Sequence, residues 1–235
     1  MKTVTKQTEQ TYRIKGSKFI GRLFPVANQD EFEHRLNLIK KEHPTATHHC
    51  YGWRILPETI RLQAEKPGAS KENTSESALS KPVDYKQSQD IKEFSSDDGE
   101  PSGTAGVPII NHLKSADLLN AAVVVIRYYG GTKLGKPGLI DAYGETTRLC
   151  ISIASLKTLY PTIHYRIRYP YTQQNLIDSW RNRFNLMEKE SEYLESVHVV
   201  MACPEKYAGK FAEELSKSKH KLLEVKKLGG SFEII

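Results

Sequence analysis

Apolar and polar residues alternate in two segments near the start of the chain. Glu9–Ile14 and Lys18–Val26 read as strands joined by a turn at Lys15-Gly16-Ser17. The period then lengthens. Phe32, Leu36 and Ile39 fall at i, i+4 and i+7, which predicts an amphipathic helix. Asn28 is placed to cap it with Glu31 in the capping-box position, and Pro44 ends it. Thr47–Ile55 reads as another strand. Pro57–Ser96 loses all periodicity and is rich in Lys, Glu, Ser, Gln and Pro. Such a composition buries too little apolar area to offset its ordering entropy, so the expectation is a long mobile surface insertion.

Pattern returns after Ser96. Pro108 opens a short helix through Leu113. Ala121–Tyr129 carries three consecutive valines and an isoleucine without polar alternation, which marks a strand buried on both faces. A glycine-rich turn follows, then a helix expected from Gly138 to Ala154, with Tyr160-Pro161 as a hinge between domains. Beyond it, Ile163, Tyr165, Ile167 and Tyr169 alternate with His164, Arg166 and Arg168. A helix capped by Thr172 carries Leu176, Ile177 and Trp180. Strands are expected at Asn185–Lys189 and Val197–Met201. A helix starting at Pro204 carries Tyr207, Phe211 and Leu215, and a closing strand spans Leu222–Lys226. The order βαββαβ is the ferredoxin-like pattern. The chain thus reads as an α+β protein of two domains, 1–158 with the insertion 57–96, and 159–235.

Composition changes this picture little. A net charge of +6 over 235 residues, with no basic tail, permits contact with nucleic acid without requiring it. Cys50, Cys150 and Cys203 are odd in number and far apart, which excludes a disulfide framework and fits a reducing cytosol. The first ten residues lack an apolar core for a secretory signal. The longest apolar run, Ala121–Ile126, is too short to cross a bilayer. The expectation is a cytoplasmic protein with no membrane partner. The oligomeric state is left open.

Two segments carry candidate chemistry. Asp97-Asp98-Gly99-Glu100-Pro101-Ser102-Gly103 places three carboxylates in four positions. They suit either a cation site or a capped turn in which they accept backbone N–H groups at a helix start. The capped turn is the commoner arrangement, and no metal is assigned. Ser102 lies one residue away from nucleophile-elbow spacing. The second segment, Gly130-Gly131-Thr132-Lys133-Leu134-Gly135-Lys136, follows a buried strand and spells G-x-x-x-x-G-K. Pro137 stands where a P-loop needs a hydroxyl, so nucleotide hydrolysis is not expected. Glycines, Lys133, Lys136 and a helix start can still hold a phosphate of RNA or a metabolite; the alternative is a tight turn needing glycine for space. Arg127 and Tyr128, with Tyr129, sit at the mouth of this turn, either to stack bases or bind a partner, or as an edge-of-core group with an ordinary salt bridge. In His48-His49-Cys50, a core cysteine beside strand histidines is favoured over the start of a zinc site.

Ser96–Gly106 with Pro108, and Val123–Gly131 with Lys133-Leu134-Gly135 and Gly138-Leu139, closely resemble the signature of the IMPACT/YigZ family. Lys15–Gly21 and His48-His49-Cys50 add to the resemblance. It implies an N-terminal domain like one shared by a ribosomal small-subunit protein and elongation factor G domain IV, and a C-terminal domain like the last domain of that factor. The chain departs from the family pattern at the insertion and at Lys136-Pro137. The bacterial two-domain layout fits better than the eukaryotic one, whose members restrain a starvation-responsive initiation kinase. The resemblance implies a non-enzymatic, translation-associated regulator that binds RNA, the ribosome or a translation factor, with no cofactor. Two alternatives stand beside it: a protein-interaction regulator without nucleic-acid binding, and a metal- or phosphate-dependent hydrolase.

Overall fold

The computed structural model describes residues 1–56 and 91–234. The chain divides near residue 160 into two compact units. In the first, β2 (Thr8–Ile14) and β3 (Ser17–Pro25) form a hairpin. Lys15 and Gly16 turn it with positive φ, 46° and 79°, the backbone of a two-residue type I′ turn. β4 (His48–Ile55), β5 (Lys92–Ser96) and β6 (Ala121–Tyr128) complete an antiparallel sheet of order β2-β3-β6-β4-β5. β1 (Lys2–Val4) pairs instead with the start of β7 (Leu156–Tyr169).

Helices cover both faces of the five-stranded sheet. α1 (Gln29–Glu42) buries Phe32, Leu36 and Ile39 with Phe24, Trp53, Val124 and Ile126. α2 (Gly106–Ser115) and α3 (Gly135–Ser152) pack Ile109, Leu113, Leu139 and Tyr143 with Phe19, Cys50, Val123 and Val125. This accounts for the unbroken apolar run in β6, whose alternate residues enter two different cores. The Asn28 side chain caps α1 as expected, accepting from Glu31 N at 2.9 Å, while the reciprocal bond of the capping box is shifted by one residue, Glu31 accepting from Ala27 N at 2.8 Å.

The second unit runs β7, α4 (Gln174–Phe184), β8 (Met187–Tyr193), β9 (Val197–Pro204), α5 (Glu205–Lys217), β10 (Glu224–Ile234). β10 pairs with β7, which pairs with β9, which pairs with β8. Ile177, Trp180 and Phe184 of α4 join Phe211 and Leu215 of α5 over Tyr165, Ile167, Val199 and Met201. Asn185 ends α4 in the left-handed region, φ 49°, which asparagine tolerates better than most residues.

Several expectations are corrected. Most of the insertion, 57–90, lies outside the described residues, but Lys92–Ser96 is a strand and not loop. It is an edge strand, polar and largely exposed, so it lacks the hydrophobic signal that marks interior strands. The same reason displaces β8, expected at 185–189 and found at Met187–Tyr193 with nearly every side chain exposed. The two units divide at Leu159 and Tyr160, where Tyr160-Pro161 is expected to mark the boundary, but these residues belong to β7 and not to a loop. Thr172 sits in a single 3-10 turn, and α4 has no side-chain cap. α3 begins at Gly135, three residues early, because proline fits a helix's first turn, where N–H groups lack partners anyway.

Among the described residues no helix is long and apolar enough to cross a membrane. In the second unit, burial works to raise the pKa of Glu233, but hydrogen bonds from His164, Lys189 and Ser231 and the charge of Lys189 outweigh it and hold the group at about 2, against an ordinary 4.5. A depressed carboxyl stabilises the fold fully above its unfolded value and loses that contribution as pH falls through the folded one. Urea unfolding should therefore find Glu233→Gln less stable than the parent at pH 6, with the gap closing between pH 4.5 and 2. A gap constant with pH would contradict the assignment.

Candidate functional site

β5 runs directly into the acidic turn, and the turn folds around Asp97. Its carboxylate accepts from Gly103 N at 2.8 Å, Ala105 N at 2.9 Å and Gly106 N at 2.8 Å. These include the start of α2, whose N-cap Ala105 offers no side-chain acceptor. Burial pushes the Asp97 pKa up, yet the three N–H groups outweigh it and hold the carboxyl below its usual range. Asp98 (φ 43°) and Gly99 (φ 89°) make the reversal. The Asp98 carboxylate accepts from His49 N at 2.7 Å and lies 3.5 Å from Lys40 Nζ. Its carbonyl oxygen is 2.8 Å from His48 Nδ1, which fits a ring protonated on that nitrogen.

Glu100 points inward. Its side chain is 3% exposed and receives hydrogen bonds from Arg127 Nη1 and from the Tyr143 hydroxyl, the latter at 2.8 Å. Arg127, at the end of β6, is 7% exposed. Its guanidinium lies between the rings of Phe19 (5.4 Å) and Tyr129 (5.5 Å), a cation–π arrangement on each side. Its Nε is buried without a hydrogen-bond partner. The Cys50 thiol donates to Tyr143 Oη at 3.2 Å and approaches the Asp97 carbonyl at 3.0 Å. Burial, the first cause in each case, pushes both the Cys50 thiol and the Tyr143 phenol far up, so both stay protonated. A protonated, buried thiol is a poor nucleophile.

The two signature segments therefore meet at one place, through Glu100, Arg127 and Tyr143. The glycine-rich turn is held next to it by contact with the β2–β3 hairpin. A Cβ on Gly130 would lie 1.9 Å from Gly16 C, and one on Gly16 would lie 2.7 Å from Gly130 O. Gly130 N donates to the buried Ser17 hydroxyl at 3.1 Å. Gly131 (φ 84°) and Gly135 (φ 74°) lead into α3, whose first turn carries no acidic residue. Lys133 and Lys136 are exposed on this turn. Lys15 is exposed on the hairpin, and Lys18 places Nζ 5.9 Å from the Tyr128 ring centroid.

Not every predicted site residue joins this cluster. Tyr128 turns to the α1 side, its hydroxyl 2.9 Å from His43 Nδ1. Asp98 also faces α1, through Lys40. Ser102 is exposed at the tip of the acidic turn. Sequence reasoning missed Tyr143, Ser17 and Lys15 as members of the site; Lys18, over the Tyr128 ring, lies with it on the α1 side. Tyr143 is apolar in pattern and polar only through its hydroxyl. Lys15 belongs to a hairpin distant in sequence, and its Lys-Gly turn and its place in the Lys15–Gly21 resemblance were the signals for it.

Breaking a buried ion pair from one side strands the other charge, at about 3–5 kcal/mol. Glu100→Leu and Arg127→Met should each lower the unfolding free energy by about 3 kcal/mol or more. The double variant should recover much of that loss, as a denaturant double-mutant cycle will show; simple additivity would mean the charges are not coupled. Gly130→Ala should destabilise by at least the ~1–3 kcal/mol of an overpacked core, since both colliding groups are backbone. A melting temperature equal to the parent's would refute the hairpin contact.

Comparison with known proteins bears on the same residues. The family model described as the Impact N-terminal domain matches residues 15–151, from the hairpin turn to the end of α3. The IMPACT family member YvyE of Bacillus subtilis (strain 168) is 30% identical over 213 residues, covering 90% of this chain and 83% of its own. YigZ of Escherichia coli (strain K12), also an IMPACT family member, is 27% identical over 203 residues, covering 86% and 85%. A crystal structure of a hypothetical protein superposes with a TM-score of 0.58 at 25% identity, over 97% of this chain and 96% of its own. The chain belongs to the IMPACT family.

Proposed function

We propose that this protein is a non-enzymatic, translation-associated regulator that binds RNA, on the ribosome or free, through the glycine-rich turn and the hairpin beside it. One observation carries the reading. The carboxylates of the acidic motif are engaged inside the fold, whereas the neighbouring lysines are not. Asp97 is closed on three backbone N–H groups and Glu100 on Arg127 and Tyr143. Asp98 lies against His49 N and Lys40. What faces solvent is Lys15, Lys133 and Lys136, with Tyr129 46% exposed. Cations beside an exposed aromatic ring and glycine backbone suit a phosphate chain with an unstacked base.

The element order of the second unit supports placing it with the ferredoxin-like domains, and that of the first with the ribosomal-protein-like domains named by the family resemblance. Such fold relations are analogy; the charge arrangement is the physical support. A hydrolase is a poorer reading. Among the described residues no histidine or carboxylate is hydrogen-bonded to the exposed Ser102, and the Cys50 thiol is buried and held protonated. A partner protein in place of RNA would leave the affinity for RNA absent.

Fluorescence anisotropy with a labelled single-stranded RNA, and co-sedimentation with ribosomes, test the proposal. Affinity should fall steeply with salt. The triple variant Lys15→Ala, Lys133→Ala, Lys136→Ala should weaken binding and reduce the log–log salt slope by about 1 for each phosphate that is no longer neutralised. Absent binding, or binding indifferent to salt and to these lysines, would refute it.

A further inference from the structure

A different surface, in the second unit, has the opposite chemistry. β8 is the last strand of its sheet, pairing with β9 on one side and with no strand of the described residues on the other. A sheet edge of this kind presents unpaired N–H and C=O groups. The register places Glu190 opposite Val200 and Glu192 opposite His198, while Ser191 and Tyr193 lie opposite Val199 and Val197. Val197 and Val199 belong to the core under α4 and α5. Glu190 and Glu192 therefore stand on the face away from the helices, and Tyr193 on the helix side.

Glu190, Glu192 and Glu195 are exposed and form no ion pair among the described residues. Their acidic neighbour Glu188 is taken up by Arg181, and Lys189 by Glu233. Arg166 lines the same shallow hollow as Glu190, Glu192 and His198, and Arg168, opposite His198, is exposed on the same face, so the acidic charge is confined to the edge strand itself. At the end of the strand, Tyr193 is 61% exposed, Leu194 62% and Tyr171 51%. The Tyr171 hydroxyl donates to Leu194 O at 2.8 Å, so these apolar groups form one patch. A register shift at Glu188/Glu190 ends the regular edge. The usable stretch is Glu190–Tyr193, continuing into Leu194.

We propose that this edge docks an extended, basic segment of a partner protein by strand addition. Backbone groups of β8 supply the pairing. Alternation then sets the sequence of the partner: Lys or Arg on the face that meets Glu190 and Glu192, and an apolar residue on the face that meets Tyr193 and Leu194. The carboxylates repel nucleic acid. They also disfavour a second copy of this chain, because pairing two such edges sets Glu against Glu. Charges alone suffice to protect an edge; the apolar patch beside them is what protection does not call for.

The test uses the full chain and a labelled octapeptide of alternating lysine and valine. Two control peptides are its glutamate–valine counterpart and the same lysine–valine peptide with alternate amides N-methylated, which keeps charge but removes strand pairing. The lysine–valine peptide should bind, and amide exchange in β8 should slow on binding. Both N-methylation and the double variant Glu190→Lys, Glu192→Lys should weaken binding by about tenfold or more. Unchanged exchange in β9 reports that the variant is folded. Absent binding, equal binding of the N-methylated peptide, or protection of β8 that grows with protein concentration alone would each overturn the proposal, the last by pointing to self-pairing.

Discussion

Arg127 is a permanent charge near the end of a strand buried along almost its whole length, and Glu100 is what allows it to be there. An unpaired guanidinium at 7% exposure would be strongly unfavourable. Paired with Glu100, and flanked by the rings of Phe19 and Tyr129, it becomes a fixed point for three chain segments distant in sequence. Glu100 comes from the acidic turn, Arg127 from β6, and Tyr143, which donates to the same Glu100 oxygen, from α3. A buried ion pair adds little net stability against a hydrophobic pair of the same size. Its effect here is positional: it fixes the acidic turn with Glu100 at Arg127 while Asp97 closes the start of α2.

The geometry of the turn follows from that constraint. Asp97 must reach the N–H groups of Gly103, Ala105 and Gly106 while Glu100, three residues on, points to the other end of the pair. The chain manages this only by reversing sharply, with positive φ at Asp98, Gly99 and Gly103. The glycine-rich segment obeys a steric rule. Gly130 and Gly16 touch backbone to backbone, and no side chain fits at either. The glycines of the near-P-loop are therefore accounted for by packing and by positive φ, without any bound nucleotide. Pro137 marks the first turn of α3 and not a failed magnesium ligand.

Legibility in the sequence tracked burial. The interior strand β6, the amphipathic α1 and the stripe Tyr207–Phe211–Leu215 were plain from period alone, because core packing enforces a pattern. The edge strand β5 and most of β8 were not, because an edge that faces water on most sides needs no apolar alternation: KEFSS reads as loop, and the strand expected at 185–189 takes in only the first residues of MEKESEY. In the site, a turn whose carboxylates accept backbone N–H groups at a helix start was legible, though not that Asp97 is the one that does so. The engagement of Glu100 was not: three acidic residues in a row of turn formers look alike until the fold decides which faces the core. Tyr128 and Arg127 are sequence neighbours with opposite destinations, one to α1 and one to Glu100. Strand alternation predicts that separation; the expectation that both served one surface overlooked it.

A net charge of +6 describes no surface of this protein. What a partner meets is the charge left after internal pairing, and the two units differ in what they leave. In the first, Asp97 and Glu100 are withdrawn into the fold while Lys15, Lys133 and Lys136 stay in water, so a motif that reads as acidic in sequence borders a basic surface. In the second, two cations that flank β8 are withdrawn, while Arg166 and Arg168 lie two strands in from the edge. Arg181 turns to Glu188 and Lys189 to Glu233, leaving Glu190, Glu192 and Glu195 outward on a strand with an open edge. The first is the surface proposed for a polyanion, and the β8 edge of the second is proposed for a basic segment. A chain of mild, evenly spread charge can in this way carry two surfaces of opposite preference, because burial and pairing, and not composition, select the charges that remain.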